Sequence, residues 1–537
     1  YMIKPEVFII GGGIGGLSCA TSLAETNQFN ISIFESDILG GQASSKKSKL
    51  CNTEISWRVF LPFYENLFNI INTIGAKNNF YPLLKDNVCL YNNVSESVTK
   101  SIIKDSSLSQ LSNNSRLLFI SKERAVNNYH DVIAVDYLNS DVMKIIIGPY
   151  YGLEPKKATL SSFYKFTYNY FIYKDDSKVK ISKNPTSDSL FFPWKEYLES
   201  KNVKIYENHK LTELLTNENG KINKLIINNK IYTPDIIVFA CSLDPLVYMF
   251  NKNNRLSQTN ICRKLNTIKT GKQFYISINF YWKKPVIKDL ECHVYTFTNG
   301  WVPIIIKRFA TTDYVDENCN KDIKEVWNIG LADKLKGIYV NKYTSQSTFK
   351  EMIYEIKMNL INSDHFKNYF DFDNYTWEDY FYGYEIDDRY YEELPSTTKF
   401  SINKGIEENL LNNYETEIGN NIYFSAYYVK NSVGGASMET STEIGLTTAD
   451  IICEKYNIKN HRKPILKNQN YITGLTLPFV LLDKLLYKYN LNPITDYINP
   501  LLLLFIYFLI IFIIILLVIY IFYTFLIKNI NIRKFYK

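Results

Sequence analysis

Val7-Phe8-Ile9-Ile10-Gly11-Gly12-Gly13-Ile14-Gly15-Gly16-Leu17 decides how this chain folds. Four β-branched or aromatic residues make a short apolar run of the kind that forms a buried parallel strand. The glycines that follow carry G-x-G-x-x-G spacing at Gly11, Gly13 and Gly16, and Leu17 to Thr26 continues as a helix. Each glycine has a physical task in such a turn. Gly11 makes the tight turn, Gly13 lets backbone approach a pyrophosphate, and Gly16 lets helix and strand pack closely. The free amides and positive end of the helix then attract phosphate.

The next apolar run, Ile31-Ser32-Ile33-Phe34, ends at Glu35, about 20 residues past the last glycine. A carboxylate there accepts hydrogen bonds from a ribose diol. Strand, glycine turn, helix, strand and acid in this order predict a dinucleotide site, where a glycine turn alone would be weak.

Composition bounds the rest. The chain has 537 residues, 46% of them hydrophobic, which is enough for more than one core. The net charge of +7 is spread without a Lys/Arg block, so no nucleic-acid partner is expected. The eight cysteines form no C-x-x-C pair, and the five histidines lack ligand spacing. Reduced thiols, no disulfide framework and no metal site are therefore expected.

From Leu501 to Ile527 no charged residue occurs. As a helix this run reaches about 40 Å at ~1.5 Å per residue, against a hydrocarbon core of roughly 30 Å, so it is expected to cross a membrane. Lys528, Arg533, Lys534 and Lys537 follow it, and the positive-inside tendency puts that tail in the cytoplasm. No secretory signal precedes the first strand, which instead favours a cytosolic globular part. Upstream, Leu475 to Leu491 places its apolar residues on one helical face, suited either to the membrane surface or to packing on the body.

Further islands place the dinucleotide in a family. Gly40-Gly41-Gln42 follows Glu35 after four residues, and Asn52 to Leu67 comes next, with Trp57 and Arg58 inside it. Val203 to Leu214, then Gly220-Lys221-Ile222, and the strand Pro234 to Ala240 follow. The last block is Asn421 to Ala426, then Ala436-Ser437-Met438-Glu439 and Gly445. Together these resemble the FAD-dependent amine oxidase and phytoene desaturase superfamily.

The resemblance implies non-covalent FAD. It places Gly11, Gly13, Gly15, Gly16, Gly40, Gly41 and Gln42 at the phosphates, Glu35 at the ribose, and backbone near Leu211 at the adenine. Ser437, Met438 and Glu439 would begin a helix whose amides meet the flavin or ribityl end. At the end of the last strand, Ala426-Tyr427 replaces the family's Gly-Asp, so the expected carboxylate is absent.

Amine oxidases commonly carry an aromatic residue where Ser437 stands, a lysine on the strand that matches Phe274 to Trp282, and sometimes a flavin-linked cysteine near the terminal motif. This chain has none of these. It therefore looks closer to isoprenoid desaturases, whose substrates are apolar and come from membranes. Trp57, Arg58 and Tyr427 are the candidates for the catalytic side, with a structural ion pair at least as well supported for Arg58 and plain packing the default for Tyr427.

The expected fold class is α/β. A discontinuous Rossmann-like FAD-binding domain (3–60, 190–250 and 418–458) carries an inserted α+β substrate domain (61–189 and 251–417). That insertion is expected to hold strands at 273–282 and 325–332 and a helix from Thr348 to Leu360. A linker (459–500), the transmembrane helix (501–527) and a basic tail (528–537) complete the chain. Two functions remain open. One is a membrane-anchored FAD oxidoreductase acting on an apolar substrate or, alternatively, an amine. The other is a degenerate flavoprotein fold serving as a membrane-bound scaffold.

Overall fold

A computed structural model describes residues 4–46, 48–54, 58–82, 88–91, 116, 119–121, 124, 159–161, 165, 180–269, 275–284, 294–297, 301, 304–308, 312–332, 336–363, 370–386, 406–434, 437–466 and 476–535. Trp57 lies outside them. Strand β1 (Glu6–Ile10), helix α1 (Ile14–Glu25) and strand β2 (Asn30–Phe34) form the expected opening unit.

β1 sits at the centre of a five-stranded sheet in the order Ile422–Phe424, Ile236–Phe239, β1, β2, Lys204–Tyr206. Every pairing in it is parallel. Both faces are covered, which is why Val7 to Ile10 and Ile236 to Phe239 are apolar at every position and do not alternate. On one face lie α1, the helices Glu65–Thr73 and Phe192–Ser200, and the long helix Met438–Lys455. On the other lie an antiparallel ribbon (Leu211–Thr216, Ile222–Ile227, Lys230–Tyr232) and the helices Leu243–Lys252 and Asn260–Lys269.

A second sheet has six strands, in the order Phe381–Ile386, Tyr275–Trp282, Glu325–Ala332, Ile304–Arg308, Val294–Phe297, Val88–Tyr91. Ile276, Ile278, Phe280 and Trp282 alternate onto one face, where they pack with Trp327, Ile329 and the helix Phe349–Asn362. Thr348 caps that helix and forms a capping box with Glu351, the S/T-x-x-E pattern that makes its start legible.

Chain ends meet the body in ways that sequence patterning did not disclose. Arg462 forms a two-pronged ion pair with Glu25, at 2.7 and 2.9 Å, and also donates to Thr73. Asn66 accepts from the Ile465 amide at 2.8 Å. The start of the expected linker is thus fastened to the Rossmann lobe.

One expectation is overturned. Cys51 and Cys319 form a disulfide across 268 residues, and Asn52 and Asn320 donate backbone hydrogen bonds around it. The wide separation explains why spacing rules gave no sign of it. Cys19, Cys241, Cys262 and Cys453 are free. Denatured protein titrated with a thiol reagent before and after reduction is therefore expected to gain at least two thiols. An unchanged count would refute the bridge.

Candidate dinucleotide site

Because all five strands run parallel, their C-terminal ends share one edge, the place where open α/β sheets bind ligands. Gly11 to Gly13, Glu35 to Asp37, Glu207 to His209, Ala240-Cys241 and Ser425 to Tyr427 all follow strand ends there.

The glycines divide into those required by packing and one that faces open space. Gly11 has φ +115°, and a Cβ on it would lie 2.6 Å from the Ala240 carbonyl. On Gly16 a Cβ would lie 2.1 Å from the Gly11 oxygen, so this residue sets the helix–strand approach as expected. Gly15 packs in the same way: its Cβ would lie 2.3 Å from the Ser425 oxygen, and Ser425 Oγ donates to the Gly15 carbonyl at 3.0 Å. Gly445 comes within 2.4 Å of that same carbonyl by the same measure, so Gly15 and Gly445 let two helices cross closely. Gly13 differs. It is the N-cap of α1, and a Cβ there would meet nothing within 4 Å.

The second glycine pair closes over the first. Gly40 (φ +101°) donates to the Gly12 carbonyl at 2.9 Å, and Gly41 faces Gly13. Phe191 fills the space beside Gly40, where a Cβ would lie 2.5 Å from its ring. Glu207 steadies this turn by accepting from the Leu39 amide (3.0 Å) and from Lys195 (2.6 Å). Burial raises the Glu207 pKa, but these two partners outweigh it and leave the carboxyl below its ordinary value. Sequence reading missed Glu207, whose only sign was its place after a strand.

Glu35 is buried. One oxygen accepts from the Gly12 amide at 2.7 Å, and the other from Asp37 N (3.0 Å) and Ser36 Oγ (3.1 Å). A carboxylate has about four acceptor sites, so a hydroxyl can still be taken. Leu211 opens the ribbon strand two residues after His209, whose amide donates to the Glu35 carbonyl. Gln42 has an exposed side chain, and its carbonyl accepts from Arg58.

Arg58 Nε is buried with no hydrogen-bond partner among the described residues. Arg58 also acts electrostatically on Tyr64, whose hydroxyl bonds Ser437. The structure therefore brings Arg58, the Gly40-Gly41 turn and the start of the Met438–Lys455 helix into one neighbourhood. Ser437 caps that helix by accepting from the Thr440 amide at 3.1 Å. Met438 packs partly buried on the core.

Glu439, fully buried, accepts from Asn66 N (3.0 Å), Asn66 Nδ2 (2.9 Å) and Leu67 N (3.0 Å). Its carboxylate ties this helix to the start of the Glu65–Thr73 helix. One turn on, Glu443 holds Ser432 through its amide (2.7 Å) and hydroxyl (2.6 Å), shaping the preceding loop. Nothing in the local sequence marks Glu443 for this.

Ala426 is buried and accepts from the Val429 amide at 2.9 Å. Tyr427 is half-buried and its ring meets Tyr428. Burial pushes the Tyr427 phenol up to about 12, only partly offset by a hydrogen bond with the Leu243 backbone. A phenol so placed stays protonated near neutral pH, and its oxygen is directed toward the Leu243 turn.

The comparisons agree with this geometry. A family profile described as an NAD(P)-binding Rossmann-like domain matches residues 9–74. No curated protein sequence matches the chain. Among solved structures, an oxidoreductase from Methanosarcina mazei is 14% identical with a TM-score of 0.58, covering 84% of this chain and 100% of its own. A protein from Exiguobacterium sp. 255-15 assigned as a protoporphyrinogen oxidase is 13% identical with a TM-score of 0.56, covering 85% and 100%. A putrescine oxidase redesigned in its cofactor binding is 13% identical with a TM-score of 0.60, covering 84% and 99%.

The class is thus a Rossmann-type α/β protein with a second, mostly antiparallel sheet. More narrowly, the chain has the fold of these oxidoreductases, in agreement with the superfamily resemblance. At these identities the likeness is one of fold. Near the other end, Pro500–Phe525 is a helix segment whose most apolar 18 residues have a mean hydropathy of 3.6, long and apolar enough to cross a membrane.

Proposed function

We propose that this chain is a membrane-anchored, FAD-dependent oxidoreductase that takes hydride from an apolar, isoprenoid- or lipid-like substrate, with oxygen or a membrane acceptor restoring the flavin. The observation that carries the cofactor is the open space at Gly13, bounded by the first turn of α1, Gly40-Gly41 and Glu35. A dinucleotide fits those groups. The α1 amides, which have no partner within their helix, suit a pyrophosphate, and Glu35 suits a ribose hydroxyl. Bound flavin supplies the hydride acceptor.

This chain's residues position the cofactor and shield it. Gly40-Gly41 closes over the phosphates, and the helix start at Ser437-Met438 presents backbone amides. Arg58 Nε, which has no partner among the described residues, supplies a buried donor beside both. Support for oxidoreductase chemistry comes from the names of the structural neighbours. The case for an apolar substrate rests on the membrane segment and on the absence of the amine oxidase features.

Orientation follows from two features taken together. A persistent disulfide belongs to oxidising compartments, and the basic tail favours the cytoplasmic side of the span. We therefore place the globular part across the membrane from the cytoplasm, rather than in the cytosol.

A detergent-purified sample is expected to show flavin absorbance near one FAD per chain, released on denaturation. An apolar substrate, rather than an amine, is expected to bleach it anaerobically. Colourless protein that takes up no added FAD would favour the scaffold reading, for which Ala426-Tyr427 in place of Gly-Asp is the motivating observation.

A further inference from the structure

The helix Leu477–Lys488 has its polarity inverted relative to a helix packed on a soluble protein. Asp483 is 0% exposed, whereas Leu481 and Leu485 are 58% and 52% exposed. Leu477, Leu481 and Leu485 recur every four residues, and Leu482 lies beside them, giving an outward leucine face that the exposed Lys484 and Lys488 share along one edge. The opposite side carries Val480 and Asp483 inward.

That inward side is fixed firmly. Asp483 accepts from Arg124 Nε at 2.8 Å and from the Ser121 amide at 2.7 Å. Arg124 also donates to the Leu491 carbonyl (2.7 Å), and Arg116 donates to the Thr495 carbonyl (3.0 Å). Both guanidinium groups therefore hold the connector that leads into the apolar span. Breaking a buried pair such as Arg124–Asp483 leaves an unpaired charge, so the helix cannot easily roll to hide its leucines.

Depth is set by a contact with the span itself. Phe479 meets Tyr507 with ring centroids 5.4 Å apart. Tyr507 lies about 10 Å along the helix from Pro500 at ~1.5 Å per residue, in a segment about 39 Å long crossing a core of roughly 30 Å. A helix touching that level lies where hydrocarbon gives way to headgroups.

We propose that Leu477–Lys488 is a second membrane contact, a monotopic helix that sinks its leucine face into the same leaflet that the span enters. This rests on Pro500–Phe525 crossing the bilayer. A single span leaves the body free to swing about its connector. A second contact, braced through Arg116 and Arg124, fixes which face of the body meets the lipid.

The test uses full-length protein in phosphatidylcholine vesicles containing doxyl-labelled lipids, with a nitrobenzoxadiazole probe on a single introduced cysteine. Leu481→Cys and Leu485→Cys report the proposed face, Phe512→Cys the span, and Ile231→Cys an exposed site on the ribbon. The unsubstituted protein corrects for native thiols. Probes at 481 and 485 are expected to be quenched at least twofold more by shallow than by deep doxyl groups. The probe at 512 should show the reverse order, and the one at 231 no quenching.

If 512 is quenched while 481 and 485 behave as 231 does, the second contact is refuted and the span survives. Failure at all three positions would overturn both. A blue-shifted, self-quenching probe at 481 without lipid quenching would mean that a second copy covers the face, again refuting the proposal.

Discussion

Replacing Gly13 with aspartate is expected to leave the protein folded, marginally more stable, and without flavin. Gly13 is the N-cap of α1, with φ −75° and ψ 177°, a conformation open to any residue, and no side chain caps the helix. Its Cβ would meet nothing within 4 Å. An aspartate can therefore enter without strain and cap α1, a change worth only about 0.3 kcal/mol over the glycine in favour of the fold. The same carboxylate would occupy the space assigned to the pyrophosphate and repel it. A like charge within ~4 Å at an effective dielectric of ~20 costs about 4 kcal/mol, roughly a thousandfold in Kd.

The contrasting variant is Gly16→Ala. Its Cβ would lie 2.1 Å from the Gly11 carbonyl, so stability and flavin should fall together. Thermal denaturation of flavin-free protein, with FAD titrated by fluorescence quenching, separates the two cases. If Gly13→Asp retained FAD with near-normal affinity, the pyrophosphate assignment at this loop would be wrong.

These two glycines also show what could be read from sequence and what could not. The turn at Gly11, the close packing at Gly16 and the acid at Glu35 were legible because strand, turn, helix and strand are local and each glycine has a distinct backbone task. The Phe349–Asn362 helix was legible from the apolar residues on one of its faces, and the strand Tyr275–Trp282 from the resemblance. Gly15 fits the same motif, yet its neighbours are Ser425 and Gly445, more than 400 residues away in sequence, and no local pattern reports such a crossing.

Cys51–Cys319, Arg462–Glu25 and Arg124–Asp483 were hidden for the same reason. The last did leave a trace. Asp483, Lys484 and Lys488 interrupt the apolar stretch Leu475 to Leu491, and a partner for Asp483 could have been sought, but not named. Whether the helix there faced membrane or protein could not be read from periodicity. Periodicity gives the existence of a face and not what covers it.

Removing the Glu439 carboxylate should cause the largest loss of stability among single changes near the site, and it should do so whether or not flavin is bound. Three donors converge on it: the Asn66 amide, the Asn66 side chain and the Leu67 amide. Two of them are first-turn amides of the Glu65–Thr73 helix, where a negative charge also meets the helix dipole favourably. Glu439→Ala would leave these donors buried without an acceptor. At ~1–3 kcal/mol for each unsatisfied donor, partly relieved by water entering the vacated space, a loss of about 3–5 kcal/mol is expected. Glu439→Gln keeps one acceptor oxygen but turns an NH₂ toward donors, so it should fall between wild type and alanine.

A residue that acted only on the cofactor would behave differently, lowering FAD affinity without changing the apoprotein. Urea unfolding of flavin-free protein, followed by tryptophan emission, tests this. Two variants that unfold as wild type does while losing FAD would show that Glu439 serves the cofactor and does not tie the helices. The expected order, wild type above glutamine above alanine in the apoprotein, follows because the tie lies in the protein. The helix start that it fixes also carries Ser437 and Met438, so FAD affinity should weaken in the same order, as a consequence of the displaced helix.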